Sequence, residues 1–333
     1  MASIIALAII WTHVNYRAVN RVRMNVVVTC TARKTKPVPA GARLMDVTGT
    51  TMTARFKEWT RRLERDGTDR VRVLDLYCGN AWSVIRRLRE NPTTGPRIRL
   101  WIVSAGQGLL SPEMLVGAYA ATFSRGHADS IQTPRAGREQ AEEWWNALVK
   151  WRRGKGQEPA SIADVARAFP EDPLVVAVSQ EYLAALKADL EAARGCLRRP
   201  SGMVIISSGA QKTGTLAENF LPCDSRFEHR FGRGRMALNA KVLSSVVATY
   251  APTEVSITKL REHYGSLLQK LPEAPYPERV RMGDDAVRKY IRGQLRAQPA
   301  PGHTRLLRGL RELGTACEQG RFRELYREVA GTA

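Results

Sequence analysis

Residues 104–108, Ser-Ala-Gly-Gln-Gly, are small or carry hydrogen-bonding side chains, and they follow directly on the apolar run 100–103. A buried parallel strand that stops this way delivers a loop at its C-terminal end, where backbone N–H groups and small side chains let a ligand approach closely. The same transition recurs where the apolar run from Met203 ends in Ser207, Ser208 and Gly209. Two strands that end alike predict one shared cleft. A third apolar run, NVVVTC from Asn25, empties into Arg33, Lys34 and Lys36. Cations at the end of a strand suit an anion, with Lys34 the first contact; the alternative is a basic loop that only meets solvent.

The elements that must position these groups follow from hydrophobic spacing. Phe56, Trp59 and Leu63 recur at helical intervals before a stop at Gly67. In the segment 70–91 the second half is helical, whereas 71–76 stays open between strand and helix. The loop AYAATFSRGHADSI is expected to cover the site. Residues 134–200 turn helical, with Trp144, Trp145, Leu148 and Trp151 on one segment and Tyr182, Leu183, Leu186 and Leu190 on another. The three tryptophans read as core in preference to a base-stacking platform. Asn239 interrupts an apolar helix as either a cap or a site amide.

Past Pro252 the texture changes to short Arg-rich helices. The last stretch reads helix, turn at Gly314, helix, with Leu306, Leu307, Leu310 and Leu313 apolar and Arg305, Arg308, Arg311, Arg321, Arg323 and Arg327 cationic. This is a helix-turn-helix reader of DNA or a plain α-hairpin. The chain therefore divides into an N-terminal extension (1–23, because Met24 directly precedes the first strand), an α/β domain (24–252) with a helical insertion at about 134–200, and a basic helical DNA-binding region (253–333).

With 333 residues, 44% hydrophobic and 25% charged, the composition is that of a globular protein with one large or two moderate cores. Its charge is unusual: 52 Lys and Arg against 32 Asp and Glu give +20. The cations gather toward the C-terminal end, which predicts a nucleic-acid partner; the alternative is a solubility effect. No membrane partner is expected, because the opening MASIIALAII is too short to span a bilayer and no basic amphipathic helix with an aromatic face stands out. The five cysteines and five histidines are scattered without a zinc or disulfide spacing. No P-loop or GxGxxG fingerprint is present, so neither a metal nor a cofactor is expected and a reducing cytoplasm fits.

Three pieces recur in the order VVVTCTARK, LDLYCGNAW and SAGQGLL followed by GAYAATF. Together they resemble the YaaA-like family, which is related to archaeosine-synthase-like and, more distantly, uracil-DNA-glycosylase-like domains. The resemblance spans roughly 25–125, with a weaker echo to about 250. It falls on Cys30, Lys34, Leu76, Tyr77, Gly79, Ser104, Gly108, Leu109 and Tyr119; Thr29 and Ala118 stand where the family usually has proline. It implies a Rossmann-like, glycosylase-like α/β sheet flanked by helices. The sharpest function it implies is that of a DNA glycosylase, a hydrolase of N-glycosidic bonds that excises a modified base in anti-phage defence. The alternatives are a base-exchange enzyme of deazaguanine-type modification and a non-catalytic DNA-binding regulator.

Breaking an N-glycosidic bond requires a pocket for a flipped base, donors for the charge gathering on the leaving base, and a carboxylate near the cationic sugar. On that chemistry Ser104, Gln107 and the backbone around Gly106 and Gly108 are the expected donors. Tyr77, Tyr119 and Phe123 are the expected stacking surfaces, and Asn239 is a further base contact. Arg33 and Lys34 would hold flanking phosphates, joined by Arg305, Arg308, Arg311, Arg321 and Arg323. Asp75 is the first carboxylate by motif, with Asp129 and Asp224 behind it.

Overall fold

The structure, a computed structural model, describes residues 22–49, 51–65, 69–132, 139–208, 214–273, 280–297 and 301–331. Gly67, Gly209 and most of the N-terminal extension lie outside the described residues. The chain divides into two compact units at 273/274.

The first unit begins with β1 (Met24–Thr29), α1 (Met52–Arg65), β2 (Val71–Arg72), a single helical turn α2 (Val73–Leu76) and α3 (Asn80–Glu90). It continues with β3 (Ile98–Ser104), β4 (Gly108–Leu110), β5 (Leu115–Val116), α4 (Glu139–Gly154) and α5 (Ile162–Ala168). Then come β6 (Leu174–Ala177), α6 (Gln180–Cys196), β7 (Met203–Ile206), α7 (Phe227–Phe231), α8 (Leu238–Thr249) and α9 (Ile257–Gln269). The segment 71–76 is thus both strand and helix in succession.

A five-stranded mixed sheet flanked by helices organises this unit, in the order β4-β3-β1-β6-β7. β3, β1, β6 and β7 are parallel, and β4 folds back antiparallel on β3. Val26 pairs with Leu100 on one side and Val175 on the other, and Val26 and Val27 are fully buried. A central strand covered on both faces has no polar side to show, which is why it reads as an unbroken apolar run. After β1 the chain builds β3 on one side, then crosses to build β6 on the other. The direction of winding reverses between β1 and β6, and the crevice outside the carboxyl ends of such strands is where open α/β sheets bind ligands.

Two boundaries differ from the sequence reading. The stretch 134–200 is not wholly helical, because Leu174–Ala177 forms a fully buried inner strand between β1 and β7. Four buried residues in a helical neighbourhood carry neither alternation nor length to announce a strand. The first unit also runs beyond 252. Leu260, Tyr264 and Leu268 of α9 are buried in its core, and Arg261 donates to the carbonyls of Phe220 (3.0 Å) and Ala217 (2.8 Å).

The second unit holds β8 (Val280–Arg281), α10 (Asp284–Ala297), α11 (His303–Glu312), β9 (Thr315–Ala316) and α12 (Gln319–Gly331). Its small core is built from Val287, Ile291, Leu306, Leu307, Leu310, Phe322, Leu325 and Val329. Gly314 takes φ +77°, the left-handed conformation that ends helices, as the expected turn requires. Leu313 lies past the end of α11 and is exposed, so the apolar stripe stops at Leu310. Among the described residues no helix is long and apolar enough to cross a membrane.

Candidate functional site

The loop after β3 is clamped from two sides. Ser104 Oγ accepts the N–H groups of Gly106 (3.2 Å) and Gln107 (2.9 Å), which folds the chain back toward β4. Three successive carbonyls are then captured by buried donors: Ala105 by the Trp144 indole (2.8 Å), Gly106 by the Trp59 indole (2.8 Å) and Gln107 by Arg152 Nε (2.5 Å). Arg152 also donates to the side-chain oxygens of Gln107 (2.9 Å) and Gln157. Ser104 Oγ and the Gln107 carboxamide oxygen are therefore engaged in shaping the loop, in place of the base contacts expected of them. Gly108 is needed for its φ of +79°, and its Cα faces the Arg152 stem. Burial pulls the Arg152 guanidinium down to about 10, and among the described residues it has no carboxylate partner.

Ser104 begins a chain of hydroxyls. Its oxygen already accepts two N–H groups, so its own proton goes to Tyr119 Oη, and Tyr119 in turn donates to Tyr77 Oη at 2.6 Å. Tyr77 Oη closes the chain and is itself within hydrogen-bonding reach of Ser104. Both phenols are pushed well above their ordinary value by burial and stay protonated at any working pH. The rings of Tyr77, Tyr119 and Phe123 are almost completely buried, packed edge-on against Trp82, Trp59 and Tyr182 respectively. They present no open face for a base to stack on, which corrects the expected stacking role.

Lys34 folds inward over this chain. Its Nζ stands 4.7 Å from the Tyr119 ring centre and 5.7 Å from that of Tyr77, and it donates to the carbonyls of Thr31 (3.4 Å) and Ala32 (3.2 Å). Burial lowers its pKa; Cys30, Asp129 and Cys78 pull the other way. The position of Lys34 is set by backbone pairing of the loop with α2: Thr35 N–H to the Leu76 carbonyl (2.8 Å) and Cys78 N–H to the Arg33 carbonyl (3.1 Å). Arg33, by contrast, is exposed.

At the switch point itself, Cys30 Sγ lies 3.4 Å from the hydroxyl of Tyr182, which arrives on the first turn of α6. Ser207, just after β7, has a buried hydroxyl with no hydrogen-bond partner among the described residues. Asn239 is neither a helix cap nor an open amide. It accepts Ser208 N–H (2.9 Å) and donates to the Val178 carbonyl (2.9 Å), tying the exits of β6 and β7 together.

The three candidate carboxylates differ sharply. Asp75 is gripped by Arg72 Nε and Arg86 Nη2, each at 2.7 Å, on the half-exposed side of α2. Asp224 makes a local ion pair with Arg226 (2.7 Å). Asp129 is 4% exposed and accepts Met45 N–H at 3.1 Å; its second oxygen is 4.0 Å from His127 Nδ1, and its charge acts on Lys34. Of the five C-terminal arginines, Arg305, Arg308 and Arg323 are exposed. Arg311 donates to the Cys317 carbonyl (2.9 Å), and Arg321 to Asp284 (2.5 Å) and to the Met282 carbonyl (3.2 Å). Those two brace their own unit with at least one of their donors.

The sequence reading missed Arg152, Trp59 and Tyr182 as site residues. Arg152 did leave a signal: it falls on the stripe of Trp144 and Leu148 at intervals of four, a cation where the pattern calls for an apolar residue. No family model matches the chain, and neither do any curated proteins or solved structures.

Proposed function

We propose that this chain is a DNA glycosylase-like enzyme, hydrolysing the N-glycosidic bond of a base, in particular a modified base of foreign DNA. The observation that carries the reading is the set of groups beyond the carboxyl ends of β1 and β3: a neutral phenol chain from Ser104 to Tyr77, the inward-turned Lys34 and the buried carboxylate Asp129, whose charge acts on Lys34. In this scheme Asp129 stabilises the cationic sugar or orients the attacking water, and the phenol chain holds the loop after β3 and supports Lys34. A flipped base costs a few kcal/mol to extract from the stack, and phosphate contacts from a chain of charge +20 offset part of that.

The test is incubation with unmodified DNA and with phage DNA carrying hypermodified bases, followed by mass spectrometry of released bases and an abasic-site assay. Release of one modified base with matching abasic sites is the expected result. Tight binding without release under every condition sinks the hydrolase reading; release only when a free base is supplied replaces it with base exchange.

Binding itself is expected to be strongly salt-dependent. Affinity for duplex DNA falls by at least about 100-fold between 50 and 200 mM salt, and replacing Arg305, Arg308 and Arg323 together by Ala flattens the log–log slope by roughly 2 to 3. A slope unchanged by that triple replacement places the phosphate contacts elsewhere.

A further inference from the structure

We propose that Lys34 is a covalent nucleophile: its amine adds to the C1′ aldehyde of the abasic sugar that base excision leaves, and the resulting iminium directs cleavage of the strand by β-elimination. The proposal rests on the base-excision reading for the origin of its substrate, and on Lys34 for its chemistry.

The placement of this one amine sets it apart. Of the chain's 52 basic residues only 11 are lysines. Among these, Lys36 pairs with Asp69, Lys155 with Glu64 and Lys187 with Glu191 at exposed positions. Lys34 instead turns into the crevice beyond β1, against two aromatic faces, with only two loop carbonyls as acceptors and no carboxylate within ion-pair distance among the described residues. A desolvated lysine in such a setting holds more of the neutral amine that addition requires, and a guanidinium cannot replace it because it does not deprotonate. Asp129, buried in the loop 118–131, acts on the amine electrostatically and is the carboxylate the proposal assigns as proton acceptor.

The chemistry balances without an oxidant or reductant. The Nζ lone pair attacks C1′, forming the C–N bond of a carbinolamine. The carbinolamine oxygen takes a proton and leaves as water, giving the iminium. Asp129 accepts a proton from C2′, and the electrons of that C–H bond expel the phosphate at C3′ as the C2′–C3′ double bond forms. Water then hydrolyses the iminium, returning the Lys34 amine and releasing an unsaturated aldehyde on the cleaved strand.

A duplex carrying a preformed abasic site tests this without requiring base release. The full chain is incubated with that duplex in sodium borohydride, which reduces an iminium to a stable amine, and the cross-linked peptide is mapped by mass spectrometry. The expected result is a cross-link on Lys34 in the native chain and a loss of roughly 100-fold or more in Lys34→Arg, with the variant's circular dichroism unchanged. A cross-link mapped to another amine, or no cross-link at all with the native chain, overturns the proposal. Base release without cross-linking leaves the glycosylase reading standing alone; cross-linking without base release from any DNA leaves Lys34 as a lyase and removes the glycosylase.

Discussion

Replacing Asp129 with Asn lowers the rate of base release by roughly 100- to 1,000-fold while leaving DNA affinity nearly unchanged. The substitution is close to isosteric, and Asn Oδ1 still accepts the Met45 N–H that Asp129 takes at 3.1 Å, so the loop over the site keeps its anchor. What disappears is a negative charge in a position that is 4% exposed, where water screens little of its effect. A positive sugar forming beside it loses its electrostatic partner, and an attacking water loses its acceptor. Single-turnover measurement separates this from weakened binding. A variant that releases base at the native rate removes Asp129 from the chemistry.

The same assay on Asp75→Asn and Asp224→Asn gives the contrast. Asp75 has both oxygens committed to Arg72 and Arg86, and Asp224 is paired with Arg226. Neither presents a free acceptor to a sugar, so release rates stay within about threefold and stability within about 1 kcal/mol, the usual range for surface ion pairs. If Asp75→Asn were the damaging change, the assignment read from the DLY motif would stand and the buried carboxylate would be only a loop anchor.

That reversal marks where the sequence was legible and where it was not. The strands β1, β3 and β7 were readable because burial on both faces leaves continuous apolar runs, and the small residues after β3 and β7 do mark one edge of the sheet. β6 was missed because four buried residues in a helical stretch do not differ from a piece of core helix. The second unit's helices were plain from Leu306, Leu307 and Leu310, whose spacing survives as its core.

Within the site, residue types were legible but roles were not. Ser104, Tyr77 and Tyr119 do meet, yet as a hydrogen-bonded chain, and nothing in their spacing says that the hydroxyls would face one another across 15 and 42 residues. A tyrosine reads as a stacking face until its burial is known. Lys34 and Arg33 are adjacent cations in one loop, and only the backbone pairing with α2 decides which turns inward. Asp75 looked catalytic because its partner Arg86, eleven positions away on α3, is invisible to a local reading.

Gly106→Ala destabilises the first unit by about 3 kcal/mol and disconnects the hydroxyl chain in the same stroke. A Cβ at this position would stand 2.5 and 2.6 Å from two carbons of the Tyr119 ring and 3.0 Å from the Trp59 ring. Neither ring has anywhere to go: both are completely buried, Trp59 is fixed by its indole bond to the Gly106 carbonyl, and Tyr119 is fixed by Ser104 and Tyr77. Relief requires Tyr119 to swing away, which costs its hydrogen bonds and strands a buried hydroxyl on Ser104. The control is Gly195→Ala on the exposed face of α6, where an added methyl meets nothing within 4 Å. There the loss of glycine's backbone freedom stabilises the helix by roughly 0.5 to 1 kcal/mol. Urea unfolding therefore moves the two midpoints in opposite directions. Equal midpoints would mean that the loop yields to a methyl group, and that the three carbonyl clamps do not hold Tyr119 against Ser104.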